Sequence, residues 1–283
     1  MNDFFDTLLD PGFPFLRNAI ISGLLASISF GIVGSYVVTR RLTSLAGAIS
    51  HSALGGIGLV LFLSAKGLNV IGLSPIHGAI LASLVSAIII FVISKYTKGR
   101  EDAIIGAVWA CGMAIGMVFL AYTPGYKDPM SYLFGSMLLI TNKELINLAL
   151  IGLLLLGFSI LLFSQLWAIC FDEEFASVRN LKVNLLYLLL LIMTALTVVM
   201  MIPMVGIVLV IAQLTIPVLI AEQLSGKLSM LMLSSILACA FTSTAGIFLG
   251  YILDLPPGPT IILFSLTVYL LISASKFILP TSR

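Results

Sequence analysis

The chain is a succession of apolar runs, each close to the roughly 20 residues a helix needs to cross the hydrocarbon core of a bilayer. They fall near 15–39, 45–64, 75–94, 103–122, 144–164, 185–203, 204–221, 229–250 and 260–279. Turn and charge signals separate them: Arg40-Arg41, Lys66-Gly67, YTKGRED, TPGYKDP, FDEEF, Ile202-Pro203, SGK and DLPPGP. Of 283 residues, 60% are hydrophobic and only 9% charged, where a soluble domain carries about 25% charged residues. Fourteen Lys plus Arg and twelve Asp plus Glu cannot cover a water-facing surface of this size. The bilayer is therefore the solvent. A soluble enzyme, a nucleic-acid binder and a disulfide-stapled secreted domain are excluded. Cys111, Cys170 and Cys239 lie far apart with no C-x-x-C pair, so neither a disulfide framework nor a metal knuckle is expected. The opening MNDFFDTLLDPGFPF is acidic and lacks a basic n-region, which argues against a cleavable secretory signal.

The fold expected from this pattern is an all-α polytopic membrane protein, with one transmembrane domain over residues 1–283. Nine spans are expected. Eight are possible, because the sixth and seventh runs are split only by Pro203 and could form one kinked helix with a short return. Residues 131–140, SYLFGSMLLI, are apolar but too short to cross and read as a re-entrant or interfacial piece buried in protein. The positive-inside rule sets the orientation. With the N-terminus outside, the inner loops hold Arg40, Arg41, Lys95, Lys98, Arg100, Arg179, Lys182, Lys227, Lys276 and Arg283. The outer set is Arg17, Lys66, Lys127 and Lys143. The bias gives an outer N-terminus and an inner C-terminus.

Charge at mid-bilayer is costly and marks function by default. Every Asp, Glu, Lys and Arg falls at a segment end or in a loop, and the ionisable group set well inside an apolar run is His51, in LAGAISHSALGGIGL. A neutral imidazole there can ligate Zn²⁺, Mn²⁺ or Fe²⁺, or it can bond to a neighbouring helix. His77, in LSPIHGA at the outer start of a span, reads as interfacial. The small residues around His51, from Ala46 to Gly58, suit close helix packing or a broken helix along a substrate path. TSTAGIFLG (242–250) reads as packing only.

The longest polar inner segment is CFDEEFASVRNLKVN (170–184). Phe171, Phe175 and Val178 recur at helical spacing, and Asp172, Glu173 and Glu174 suit the positive end of a helix dipole. An amphipathic helix over about 170–182 is expected, either a solvated connector or a docking helix for a soluble partner. No G-x-x-x-x-G-K-[ST] occurs, since Gly226-Lys227 is followed by Leu228 and position 221 is Ala, so the chain is not expected to bind ATP by that route. H-E-x-x-H is absent too, and no Ser/His/Asp set suggests an intramembrane hydrolase. Intramembrane carboxylates and repeat symmetry, which a stand-alone secondary carrier usually shows, are also missing.

Several blocks, in order along the chain, resemble the membrane permease subunits of bacterial zinc, manganese and iron ABC importers. They are FLRNAIISGLLASISFGIVGSYVVTRR (15–41), LAGAISHSALGG (45–56), EDAIIGAVWACGMAIG (101–116), SYLFGSML (131–138), FDEEFA (171–176), VGIVLVIAQLTIPVLIA (205–221) and DLPPGPTIIL (254–263). The resemblance implies a permease in the bacterial cytoplasmic (inner) membrane that pairs with itself or a sister permease to line one path. It implies no enzymatic activity of its own and no permanently bound cofactor, the divalent metal ion being the transported substrate. A cytoplasmic ATPase would dock on Asp172, Glu173, Glu174, Phe175 and Ala176, and an extracytoplasmic metal-binding protein would deliver the ion. In the family segment G-D-A-I-S-H-A an aspartate precedes the histidine by four residues. Here His51 matches the histidine and Gly47 stands at the aspartate position. Gly55 likewise replaces a proline. Loss of the carboxylate should weaken binding of a hard ion such as Mn²⁺ unless a sister permease supplies it. The rival from another class is a stand-alone secondary carrier or channel.

Overall fold

The computed structural model describes residues 14–68, 73–96, 101–125 and 140–278, together with Leu133 and Gly135. Those residues form helices and connecting turns. The helices are α1 (Pro14–Thr39), α2 (Thr43–Ala65), α3 (Pro75–Tyr96), α4 (Glu101–Tyr122), α5 (Asn142–Leu161) and α6 (Phe163–Phe171), then α7 (Glu173–Val178), α8 (Val183–Val205), α9 (Ile207–Glu222), α10 (Leu228–Leu253) and α11 (Pro257–Ile278). Each of the nine apolar runs is a helix. Eight of them, α1 to α5, α8, α10 and α11, are long and apolar enough to cross a membrane. The ninth, α9, is apolar but has 16 residues, about 24 Å at 1.5 Å per residue and short of a ~30 Å core. The choice between eight and nine thus resolves into eight full-length helices and one short one.

The break between the sixth and seventh runs lies three residues beyond the expected place. Pro203 sits inside α8, which continues to Val205, and the chain turns at Gly206 with φ 80°. The proline loses the bond to the carbonyl four residues back and crowds it, which weakens the last turn of α8 without ending the helix there. The turn itself needs positive φ, which glycine adopts without a Cβ penalty. Gly135, also at positive φ, lies against this turn: a Cβ on it would be 2.8 Å from the Met204 carbonyl oxygen. Most of the expected re-entrant piece, 131–140, lies outside the described residues; of its members only Leu133, Gly135 and Ile140 are within them. Leu133 packs against the cluster of Leu54, Ile57, Val199 and Ile202, and Ile140 is buried.

The most enclosed helices are α1, α2 and α8, with α3, α4, α5, α10 and α11 around them. Helix α2 packs mainly against α3 and α4, α1 against α10 and α5, and α9 against α10, α11 and α1. The outer helices expose aliphatic side chains, among them Leu81, Val118, Leu153, Leu161, Leu237 and Leu271. Faces of that extent need lipid or another membrane helix as neighbour. The helix ends gather on two sides. Arg40, Lys95, Cys170, Glu173 and Asn184 meet on one. Ser74, Thr141, Lys143 and Pro203 meet on the other, where Asn18 Nδ2 donates to the Ile140 carbonyl at 3.1 Å. TSTAGIFLG packs as expected, with Thr242 and Ser243 buried and Gly246 against the backbone of Ile261 on α11.

The expected helix over about 170–182 is two pieces. Helix α6 ends at Phe171, Asp172 is extended (φ −152°), and α7 runs only from Glu173 to Val178. Asp172 is the cap of α7, not part of its first turn: its Oδ1 accepts the Phe175 N–H at 2.9 Å. Asn180, at φ 57°, closes the segment, a left-handed conformation that asparagine tolerates better than most residues.

Candidate functional site

His51 lies on α2, whose small residues let α3 and α4 approach closely. It is 7% exposed, and its Nδ1 is buried without a hydrogen-bond partner. One face of the imidazole is covered by Trp109 of α4, with ring centroids 4.6 Å apart and planes 18° from parallel. Stacking of this kind holds a ring in place without consuming its nitrogens. An unpaired buried nitrogen costs about 1–3 kcal/mol. The arrangement therefore keeps a ligating lone pair, or an N–H, unused inside the protein.

Gly47, one helical turn before His51, is buried against the same tryptophan. A Cβ at that position would lie 3.2 Å from Ile211 Cδ1 and 3.3 Å from Trp109 Cζ3. Trp109 and Ile211 thus occupy the approach that a larger side chain at 47 would need. Among the described residues, no three of His, Cys, Asp and Glu stand together as a metal cage. His51 offers one nitrogen, where a zinc site takes four ligands. The described residues by themselves do not complete such a site.

His77 is exposed on the other side of the fold, and its Nδ1 is 2.7 Å from Ser74 Oγ, so it is not brought to His51. At α7 the expected docking residues divide. Glu174 and Phe175 are exposed, as are Asp172 and Glu173, but Ala176 is fully buried and anchors the helix. Phe171, Phe175 and Val178 are all exposed, although Phe171 belongs to α6. The Phe175 ring lies under Arg179, 5.2 Å from its guanidinium carbon.

Three residues, of which only Trp109 touches His51, carry no conspicuous sequence signal. Trp109 sits in an apolar run where any large side chain would read as packing. Arg40 reads only as a topology charge. Gln213 is a buried amide on α9 whose Oε1 accepts the Cys239 thiol at 3.5 Å; a polar residue within an apolar run was its available signal.

Residues 12–276 match the ABC 3 transport family. The chain is 38% identical over 258 residues to the "Probable metal transport system membrane protein" of Chlamydia pneumoniae, covering 90% of this chain and 87% of that one. It is 30% identical to the manganese import system permease protein ScaB of Streptococcus gordonii, covering 96% and 94%. Among solved structures, PsaBC from Streptococcus pneumoniae in complex with Fab superimposes with a TM-score of 0.84 at 28% identity, covering 96% of this chain and 94% of that one. A family match over nearly the whole length, relatives covered almost end to end and a shared arrangement of helices agree on one assignment: the chain belongs to the ABC 3 transport family.

Proposed function

We propose that the chain is the membrane-spanning permease of an ATP-driven importer of divalent transition metal ions, with manganese, zinc and iron as candidate substrates. The observation that supports it most is the near end-to-end relation to manganese import permeases, combined with the unpaired His51 nitrogen held inside the bundle. ATP hydrolysis belongs to a separate cytoplasmic subunit, which docks on the Asp172–Ala176 segment. A metal-binding protein delivers the ion on the opposite side. His51 supplies a nitrogen ligand to the passing ion, and Trp109 holds its ring.

Because the described residues offer one such group, the remaining ligands come from a second permease across a shared path. A sister permease with a carboxylate fits better than a second copy, since Gly47 has none to give. The test is metal uptake by cells carrying the permease with and without its ATPase, with manganese, zinc and iron in competition. Uptake that stops without the ATPase supports the reading, and uptake that persists without any ATPase points to a stand-alone carrier.

A further inference from the structure

A six-residue helix is too short to hold its place by its own hydrogen bonds, so α7 must be fixed by what it touches. Only Ala176 of its residues is buried. Beyond that contact and the Asp172 cap, a guanidinium ties it to the helices around it. Arg40 follows the last residue of α1, and its side chain is 12% exposed. Its Nη1 donates to the Ile169 carbonyl on α6 at 3.0 Å, and its Nη2 donates to Glu173 Oε2 on α7 at 2.8 Å. Its guanidinium carbon stands 4.5 Å from the ring centroid of Tyr187 on α8. Below it, the Cys170 thiol lies 3.9 Å from the Tyr36 carbonyl of α1. A cavity of about 360 Å³ opens beside these groups, bordered also by Lys95 and Asn184. There α7 is not packed solidly against α8, and the guanidinium bridges the gap.

We propose that Arg40 is the positioning residue that ties the Glu173–Val178 helix to α1 and α8, so that movement of that helix is passed to the helices lining the transport path. The proposal rests on the reading of this segment as the ATPase dock. The onward route is direct packing. Val199 and Ile202 of α8 share a buried cluster with Ala53, Leu54 and Ile57 of α2, the helix that carries His51. Arginine suits the role because its planar fork can meet a carbonyl, a carboxylate and an aromatic face together, which the single ammonium of lysine cannot. Glu173, 58% exposed in its side chain, is the part of the joint that faces the solvent side.

The experiment uses the full chain co-expressed with the ATPase of its own transporter and reconstituted in lipid vesicles, and it reads Mn²⁺ transported per ATP hydrolysed. Arg40→Gln and Arg40→Lys, both outside the docking segment, should each leave the ATPase bound and hydrolysing while lowering that ratio, the first by about tenfold, the size of an ordinary coupling between two sites. The exchanged pair, Arg40→Glu with Glu173→Arg, should recover more of the ratio than either single change keeps. Unchanged ratios in both Arg40 variants would overturn the proposal. So would transport and hydrolysis falling in proportion to the amount of assembled complex, because that is the result of a purely structural arginine. If Arg40→Gln does not assemble, Arg40→Lys, which keeps the charge and loses the planar fork, decides the matter alone. Failure of the unaltered chain to bind an ATPase would instead overturn the docking reading, and this proposal with it.

Discussion

His51 and Trp109 stack across the α2–α4 interface with centroids 4.6 Å apart, and the imidazole Nδ1 beside that contact has no hydrogen-bond partner. One neighbour thus fixes the ring while leaving its chemistry unspent. A histidine retained only for packing would be expected to find a carbonyl or hydroxyl for a buried nitrogen, as buried polar atoms generally do.

His51→Ala should lower manganese and zinc accumulation at least about tenfold, on the scale seen when support of a metal ligand is lost. Expression and ATPase co-purification should be unchanged. His51→Phe separates transport from stability. It keeps a ring against Trp109 and removes the unpaired nitrogen, so the variant should melt no earlier than the parent and gain up to about 1 kcal/mol. Normal uptake in both variants would remove the ligand role.

Gly47→Asp tests the space beside the histidine. Ile211 and Trp109 must both give way by a few tenths of an ångström to admit a Cβ at 3.2 and 3.3 Å, and overpacking of this kind costs about 1–3 kcal/mol. Trp109→Ala in the same chain should recover part of that loss, so the two changes should be non-additive in thermal melts. Strict additivity would show that the tryptophan does not restrict position 47.

The spans were legible because each is an uninterrupted apolar run bounded by charge or turn residues, and lipid leaves a helix no other way to satisfy its backbone. The turn after α8 was misplaced because Pro203 is the louder signal. Proline marks where a helix weakens, but Gly206, with φ 80°, is where the chain can reverse. The segment after α6 reads as one amphipathic helix by spacing, yet Asp172 competes for the backbone and starts a new helix at Glu173. His51 was legible as an isolated ionisable group. Trp109 and Arg40 were not, because their roles depend on partners 58 and 133 positions away, which no local pattern encodes.

The contact between α2 and α3 gives a prediction about packing alone. A Cβ at Gly56 would fall on the carbonyl of Gly78, and it would be 2.8 Å from Ala82 Cβ. Backbone cannot rotate away as a side chain can. Gly56→Ala should therefore destabilise the protein by about 1–3 kcal/mol. Gly157 on α5 has nothing within 4 Å of its Cβ position, so Gly157→Ala should be neutral or stabilising by up to about 1 kcal/mol through helix propensity. Thermal melts of the two variants in one detergent make the comparison, and equal losses would contradict the packing.

The proposed docking surface of α7 can be tested without touching its anchors. Phe175 is 48% exposed and Glu174 is exposed, while Ala176 and the Asp172 cap hold the helix in place. Phe175→Asp and Glu174→Lys should each reduce ATPase co-purification, the first more, because a charge put into an apolar pocket of a partner without a counterion is costly to desolvate. Both should leave thermal stability within about 0.5 kcal/mol, as expected for exposed positions. Asp172→Ala is the contrasting variant. It removes the acceptor for the Phe175 N–H and should loosen α7 by about 1 kcal/mol, weakening ATPase binding by deforming the helix without altering its outer face. Co-purification that survives Phe175→Asp and Glu174→Lys together, with the segment intact by protease resistance, would place the dock elsewhere on the Arg40 face.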